Sequence, residues 1–192
     1  HYVCQSVWYV ARTGPKCGKT VTGDDVTDEE RGGALTHSTT SVVAPFVADA
    51  AQHCIVQVRY LLSFLPSNNL EDPPHFETTD DPERSCDELL GLIPETANRA
   101  YDMKAVIADI VDDGEFFEVF PLWAMNIVCG FARIDGHVIG IVGNQPKVLA
   151  GCLDIDASEK AARFVRTCDA FNVPLVTFVD VPGFLPGTDQ EY

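Results

Sequence analysis

The chain has 192 residues, 46% of them hydrophobic, which is enough apolar material for a packed core in one large domain or in parts of two. Its formal charge of −16 argues against a nucleic-acid partner, because phosphate backbones need a basic face. No apolar run approaches the roughly 20 residues that span a bilayer, so no membrane association is expected.

The start, His1-Tyr2-Val3-Cys4, has no basic region followed by an apolar run, so no secretory leader is expected. It also lacks an initial Met, and the last residues run straight on from a turn, so a piece of a longer protein is expected. The seven cysteines are odd in number, scattered and never spaced as CxxC. That pattern fits neither a disulfide framework nor a zinc site, and points to a reducing, intracellular compartment.

Residues 1–15 carry a short apolar segment ending at Thr13-Gly14-Pro15. Thr20 to Glu30 is acidic and loop-like, with a helix beginning near Thr27. Gly32-Gly33-Ala34 opens a stretch of small residues that ends at Ser41. Val42 to Leu65 reads as one helix, with Ala48, Ala51, Ile55, Val58, Leu61, Leu62 and Leu65 on an apolar stripe, Pro45 near its start and Pro66 stopping it. From Ser67 to about Asp87 large apolar residues are sparse, and a linker is expected there. Ala100 to Val119 reads as a second amphipathic helix carrying Met103, Val106, Ile107, Ile110 and Val111. Asn126 to Arg133 and His137 to Val142 flank Asp135-Gly136, the signature of a hairpin turn.

After the loop Gly143-Asn144-Gln145-Pro146, residues 151–187 read as loop, helix, strand and turn. Ser158 is expected at the N-cap, with Glu159 in the first turn. Ala161, Ala162, Phe164, Val165 and Cys168 recur at helical spacing, Asn172 can end the helix, and Pro174 cannot continue it. Val173 to Val181 is almost uniformly apolar and β-branched, as a strand covered on both faces would be. Pro182-Gly183-Phe184-Leu185-Pro186-Gly187 then fixes a turn with exposed amides. In α/β folds ligands gather beyond the carboxyl ends of strands.

Conventional catalytic constellations are missing from the sequence. No histidine pair has metal spacing such as HxxxH, and there is no GxSxG elbow for a serine nucleophile. His37, among small polar residues, is the histidine with most claim to a role, whereas His53 and His137 read as structural. Asp180 ends the strand before the turn, where a carboxylate more often braces a turn than acts chemically. Gly32-Gly33 and Pro182-Gly183-Phe184 are better candidates, since backbone amides stabilise an enolate or oxyanion without a titrating side chain.

The run GFARIDGHVIGIVGNQPKVLAGCLDIDASEKAARFVRTCDAFNVPLVTFVDVPGFLPGTDQEY closely resembles the carboxyltransferase (β) subunits of biotin-dependent acyl-CoA carboxylases, above all propionyl-CoA carboxylase β chains. TGP, KTVTGDDVTDEERGGALTH, LLSFLPSNN and YDMKAVIADIVDDGEFFEVFP agree with it in order and spacing. The resemblance covers nearly the whole chain from Thr13. Residues 1–12 depart from the family pattern. So do Lys16-Cys17-Gly18, Arg31 in place of Leu, and Pro45 where His is common.

That resemblance implies a crotonase-like α/β fold of repeated ββα units in two related domains. Residues 1–66 would close the N-terminal domain, 67–95 would be the linker, and 96–192 would open the C-terminal domain. It implies carboxyl transfer between carboxybiotin and the α-carbon of an acyl-CoA, with propionyl-CoA the expected acceptor, through enolates held by backbone amides. The family's oxyanion glycines are expected outside this chain, so none of its residues is assigned as catalytic and the piece alone is expected to be inactive. Gly32, Gly33, Ala34, Asn144, Gln145, Pro182, Gly183 and Phe184 match segments that line the substrate and biotin cleft. The Met-Lys-Met biotin-attachment motif is absent, Met103-Lys104 lacking the second Met, so biotin is expected on a partner, a biotin carboxylase and carrier α subunit. No metal is expected. A homo-oligomeric parent is implied, in the bacterial cytoplasm or, in a eukaryote, the mitochondrial matrix. The competing readings are another crotonase-class enzyme acting on CoA thioesters, such as a decarboxylase, and a non-catalytic fragment lacking both oxyanion segments.

Overall fold

A computed structural model describes residues 2–4, 11, 14–96 and 99–190. The chain divides into two compact units, His1–Tyr60 with Phe120–Trp123, and Leu61–Val119 with Ala124–Tyr192. Among the described residues no helix is long and apolar enough to cross a membrane.

In the first unit, β1 (Tyr2–Cys4) runs parallel to β2 (Phe46–Ala48), with Val3 opposite Val47. Among the described residues three short helices lie between them in the chain: α1 (Pro15–Val21), α2 (Asp28–Gly32) and α3 (Ala34–Thr39). The helix expected near Thr27 is α2. Thr27 caps it by accepting from the Glu30 amide at 3.2 Å, while Glu30 accepts from the Thr27 amide at 2.8 Å. This reciprocal capping box satisfies two amides that the first turn leaves without partners. Val3, Ala34 and Ala44 form a small core.

The single helix read from Val42 to Leu65 is corrected. Val42 takes a positive φ of 56°, Phe46–Ala48 forms β2, and the helix, α4 (Ala51–Leu62), begins only afterwards. Ala48, counted on the helical stripe, is instead buried in the strand. Pairing with a segment more than forty residues upstream decides this, and local periodicity does not register such a partner. None of the α4 residues is buried, and Ile55 and Leu62 are well exposed.

The second unit is built on a four-stranded sheet of order β3-β4-β5-β6. Its strands are β3 (Phe117–Val119), β4 (Ile127–Ile134), β5 (His137–Asn144) and β6 (Leu175–Phe178). β4 and β5 form the expected hairpin, with Asp135 and Gly136 at φ 50° and 71°, the double left-handed geometry of a type I′ turn. The Asp112 carboxylate accepts from both turn amides, at 2.9 and 2.7 Å.

Helices cover the two faces of this sheet. On one face α6 (Met103–Ile110) buries Met103, Val106 and Ile107 against Val128, Ala132, Ile139 and Ile141. On the other, α7 (Ile155–Ala170) sets Phe164 edge-on against Phe131, with ring centroids 5.0 Å apart. Alternating residues of β4 and β5 thus serve opposite layers, as the pleat requires. α7 also provides the crossover between β5 and β6, which are parallel.

Three further expectations change here. The helix read from Ala100 to Val119 stops at Ile110, because Asp112-Asp113-Gly114 forms a tight turn with positive φ at Asp113 and Gly114, and β3 follows. The N-cap of α7 is Asp154, four residues before Ser158, and its carboxylate accepts from the Ala157 amide at 2.8 Å. The strand read from Val173 to Val181 is shorter, and it is not covered on both faces. β6 ends the sheet order, and its residues alternate between exposed and half-buried. Asn172 does end α7, with φ 58°, as the Val173 amide bonds the Cys168 carbonyl at 2.9 Å. The segment read as a linker is mostly irregular and holds one short helix, α5 (Leu89–Leu92).

Candidate functional site

The parallel strands β5 and β6 end side by side, and the loops beyond them carry most of the singled-out residues. Asn144 is the last residue of β5 and is 7% exposed. Its amide group donates to the Gly151 carbonyl at 3.1 Å, and its Oδ1 accepts from the Asp180 backbone at 3.2 Å. One side chain therefore joins the two strand ends. Gly151 has to be glycine on two counts. Its φ is 77°, and a Cβ there would stand 2.8 Å from the Asp180 carbonyl oxygen.

Gln145, 4% exposed, is equally occupied. Its Oε1 accepts from the Met103 amide at 3.2 Å, its Nε2 donates to Asp102 at 2.8 Å, and its backbone donates to the Asn126 carbonyl at 2.9 Å. Asn144 and Gln145 thus shape the loop, and their side chains point into it. Asp102 caps α6 through the Lys104 amide at 3.0 Å and also meets the Lys147 ammonium at 3.0 Å. Burial alone would raise the Asp102 pKa, but donation from Gln145, Lys147 and the Lys104 amide outweighs it and holds the carboxyl below its usual range.

Tyr101 precedes Asp102, and its hydroxyl donates to the Asp180 carboxylate at 2.7 Å. Burial, and then this carboxylate, push the phenol up to about 12. A hollow of about 380 Å³ opens beside the pair, lined among others by Ile93, Thr96, Arg99, Tyr101, Asp180 and Pro182. A second hollow of about 390 Å³ lies at the start of α7, lined among others by Leu153, Ile155, Ser158, Phe184 and Leu185. Pro182 borders the first and Phe184 the second, so the turn stands between them.

That turn is held at both ends. Leu153 donates to the Gly183 carbonyl at 3.0 Å and accepts from the Leu185 amide at 2.8 Å. The Gly183 and Phe184 amides have no hydrogen-bond acceptor among the described residues. Phe184 is 77% exposed, and a Cβ built on Gly183 would meet nothing within 4 Å. An amide left without an acceptor beyond a parallel strand is a donor that an oxygen gaining negative charge can use.

Gly32, Gly33 and Ala34 lie in the first unit, at the junction of α2 and α3. The Gly33 amide donates to the Glu29 carbonyl at 2.9 Å, and a Cβ at Gly33 would fall 2.5 Å from that same oxygen. The glycine lets two helices meet, and Ala34 is buried. His37 Nδ1 lies 2.6 Å from the Ser41 hydroxyl, and the His137 ring rests against His75 at 4.5 Å. Among the described residues no group of three or more His, Cys, Asp or Glu stands together as a metal site would require.

Several residues that build this site carry no obvious sequence signal. Tyr101 and Asp180 are separated by 79 positions, so no spacing links them. Asp102 was findable, because an Asp directly before a helical apolar period is an N-cap signature. Asn126 bonds both the Cys152 carbonyl, at 2.8 Å, and Asp154, at 3.2 Å, and nothing in its neighbourhood announces this.

Comparison with known proteins supplies the family. The carboxyl transferase domain family matches residues 3–192. The chain is 56% identical to the methylmalonyl-CoA decarboxylase subunit alpha of Veillonella parvula, over its whole length and 38% of that protein. It is also 56% identical to the propionyl-CoA carboxylase carboxyltransferase subunit of Haloferax mediterranei, over 94% of the chain and 35% of that protein. Among solved structures it superposes on a transcarboxylase 12S, described as a hexamer with methylmalonyl-coenzyme A and methylmalonic acid bound. That match has a TM-score of 0.92 at 48% identity and covers 96% of this chain and 36% of the other. The chain thus spans little more than a third of the length of these relatives. It belongs to the carboxyl transferase domain family, and its α/β architecture is the crotonase-like fold.

Proposed function

Since the chain belongs to that family, we propose that the full-length protein is the carboxyltransferase component of a biotin-dependent enzyme, moving a carboxyl group between carboxybiotin and the α-carbon of propionyl-CoA. The observation within this chain that supports the reading is the pair of unpartnered amides at Gly183 and Phe184, beyond the parallel strands β5 and β6, donors additional to the oxyanion glycines expected outside the chain. Such donors suit chemistry whose difficulty is charge on oxygen, since forming an enolate from a thioester or from a ureido group puts negative charge on a carbonyl oxygen. Biotin, borne on a partner α subunit, would supply the carboxyl group, and an unpartnered amide is a donor that a ureido or a thioester oxygen can use. Asn144, Gln145 and Asp102 keep the β5 loop in place, and Leu153 keeps the turn in place.

In the transfer, the bond between the α-carbon and the carboxyl carbon forms as the carboxyl leaves the biotin nitrogen, and the α-proton passes to that nitrogen. The reverse reaction carboxylates biotin at the expense of methylmalonyl-CoA. A decarboxylase uses this reverse half-reaction, and the 56% identity to a methylmalonyl-CoA decarboxylase subunit favours it as a second reading. In that reading the partner, and not this chain, sets the direction.

On the same proposal, residues 1–66 close one domain, 67–95 connect and 96–192 open the next, with Gly32, Gly33 and Ala34 lining the cleft from the first domain. Self-association of the parent is supported by the hexamer described for the transcarboxylase. The compartment is the bacterial cytoplasm or, in a eukaryote, the mitochondrial matrix. The test is carboxyl transfer from methylmalonyl-CoA and from malonyl-CoA to free biotin by the full-length protein, run beside the 192-residue chain. Transfer by the parent with methylmalonyl-CoA preferred, and none by the piece, is the expected result. No transfer by a folded parent overturns the proposal.

A further inference from the structure

We infer that Tyr101 is a positioning residue for the proposed carboxyl transfer: its hydroxyl holds Asp180 and, through it, the turn that presents the Gly183 and Phe184 amides. The inference rests on the function proposed above. Two consecutive residues at the head of α6 hold the two strand ends. Asp102 takes Gln145 and Lys147, on the loop after β5, and Tyr101 takes Asp180, two residues after the end of β6. Asn144 ties Asp180 from the main-chain side at 3.2 Å. The turn is therefore fixed by Leu153, at Gly183 and Leu185, and at its approach from β6 by Asp180. Among the described residues Tyr101 is the one hydrogen-bond partner of the Asp180 carboxylate.

The exposure of the two groups separates this role from a purely structural one. Asp180 is exposed and Tyr101 half-buried, and a bond to an exposed carboxylate adds little to folding stability. Orientation is more sensitive, because a small displacement of a positioned group costs rate steeply. Burial keeps the phenol protonated at every working pH, so the bond is a permanent brace.

The test uses the full-length protein and transfer from methylmalonyl-CoA to free biotin. It compares wild type, Tyr101→Phe, Asp180→Ala and the double variant. We expect Tyr101→Phe to lower kcat about tenfold, with KM within about twofold and the melting temperature within about 2 °C. The double variant should be no slower than the slower single one, because both remove the same bond. A kcat within about twofold of wild type, a loss confined to KM, a loss matched by a lower melting temperature, or losses that multiply would each overturn the inference. A wild type without transfer removes the proposed function and this inference together. An active wild type with an unaffected Tyr101→Phe removes the inference alone.

Discussion

Lys160 lies on α7 with no exposed surface, and its ammonium donates to the carbonyls of Ile127, at 2.9 Å, and Ala124, at 3.3 Å. These bonds pin the helix to the bend that leads into β4. Burial lowers the Lys160 pKa to about 8 from the ordinary 10.5. The unfolded chain therefore binds the proton more tightly, and stability rises with pH between about 8 and 10.5, by on the order of 3 kcal/mol over the whole window. Cys129 and Cys168 work in the opposite sense. Burial pushes both thiols up to about 12, so the folded state keeps protons that the unfolded chain loses above about 9. Urea unfolding should thus show stability climbing from pH 8 to 9 and then levelling or falling. Lys160→Met should abolish the climb, and an unchanged profile in that variant would contradict the assignment. Residue-scale reading of the sequence had mixed reach. Asn144, Gln145 and the Pro182-Gly183-Phe184 turn were legible as motifs, but the inward direction of the first two side chains was not, because their partners Asp102 and Asp180 are 43 and 36 positions away.

Among the elements, the end of α7 at Asn172, the start of α2 near Thr27 and the Asp135-Gly136 hairpin were legible in the sequence, since each is set by residues a few positions apart. The misread bounds of two strands share one physical cause, a distant partner overriding a local pattern. β2 pairs with β1, and β6 takes its length from β5. The start of α7 offers a direct test. Asp154→Ala removes the acceptor for the Ala157 amide and for Asn126, and should cost about 1–2 kcal/mol in denaturant unfolding. Ser158→Ala, at the position the local pattern suggests for the cap, should cost no more than a few tenths, within the range of surface substitutions. Equal effects would place the cap wrongly. The contact of α7 with β5 depends on Gly140, where a Cβ would fall 2.6 Å from the Cys168 sulfur and 3.0 Å from Leu175. Gly140→Ala should lose about 1–3 kcal/mol by overpacking, and Cys168→Ala in the same molecule should restore part of it. A loss indifferent to Cys168 would mean that strand geometry, and not packing, sets the cost.

For the molecule as a whole, 192 residues leave much apolar surface in water. Leu70, Leu90, Val179 and Phe184 are each more than 70% exposed, and Ile55, Val56 and Leu62 add an open stripe on α4. β6 ends the sheet order β3-β4-β5-β6, and it sits within the apolar run from Val173 to Val181. An apolar strand with one side unpaired and exposed apolar neighbours is a template for association. Opposing it is the charge of −16, which makes copies of the chain repel one another at low ionic strength. Raising salt from about 10 mM to about 150 mM shortens the screening length from roughly 30 Å to roughly 8 Å and removes most of that repulsion while leaving hydrophobic attraction intact. The isolated 192-residue chain should therefore scatter little light at low salt and associate as salt is added. A Val179→Lys substitution, which charges the segment following β6, should shift the onset to higher salt. A monomer that keeps its size and a sharp melt at about 150 mM salt would show that these surfaces do not drive association, and that the chain is stable without anything covering them.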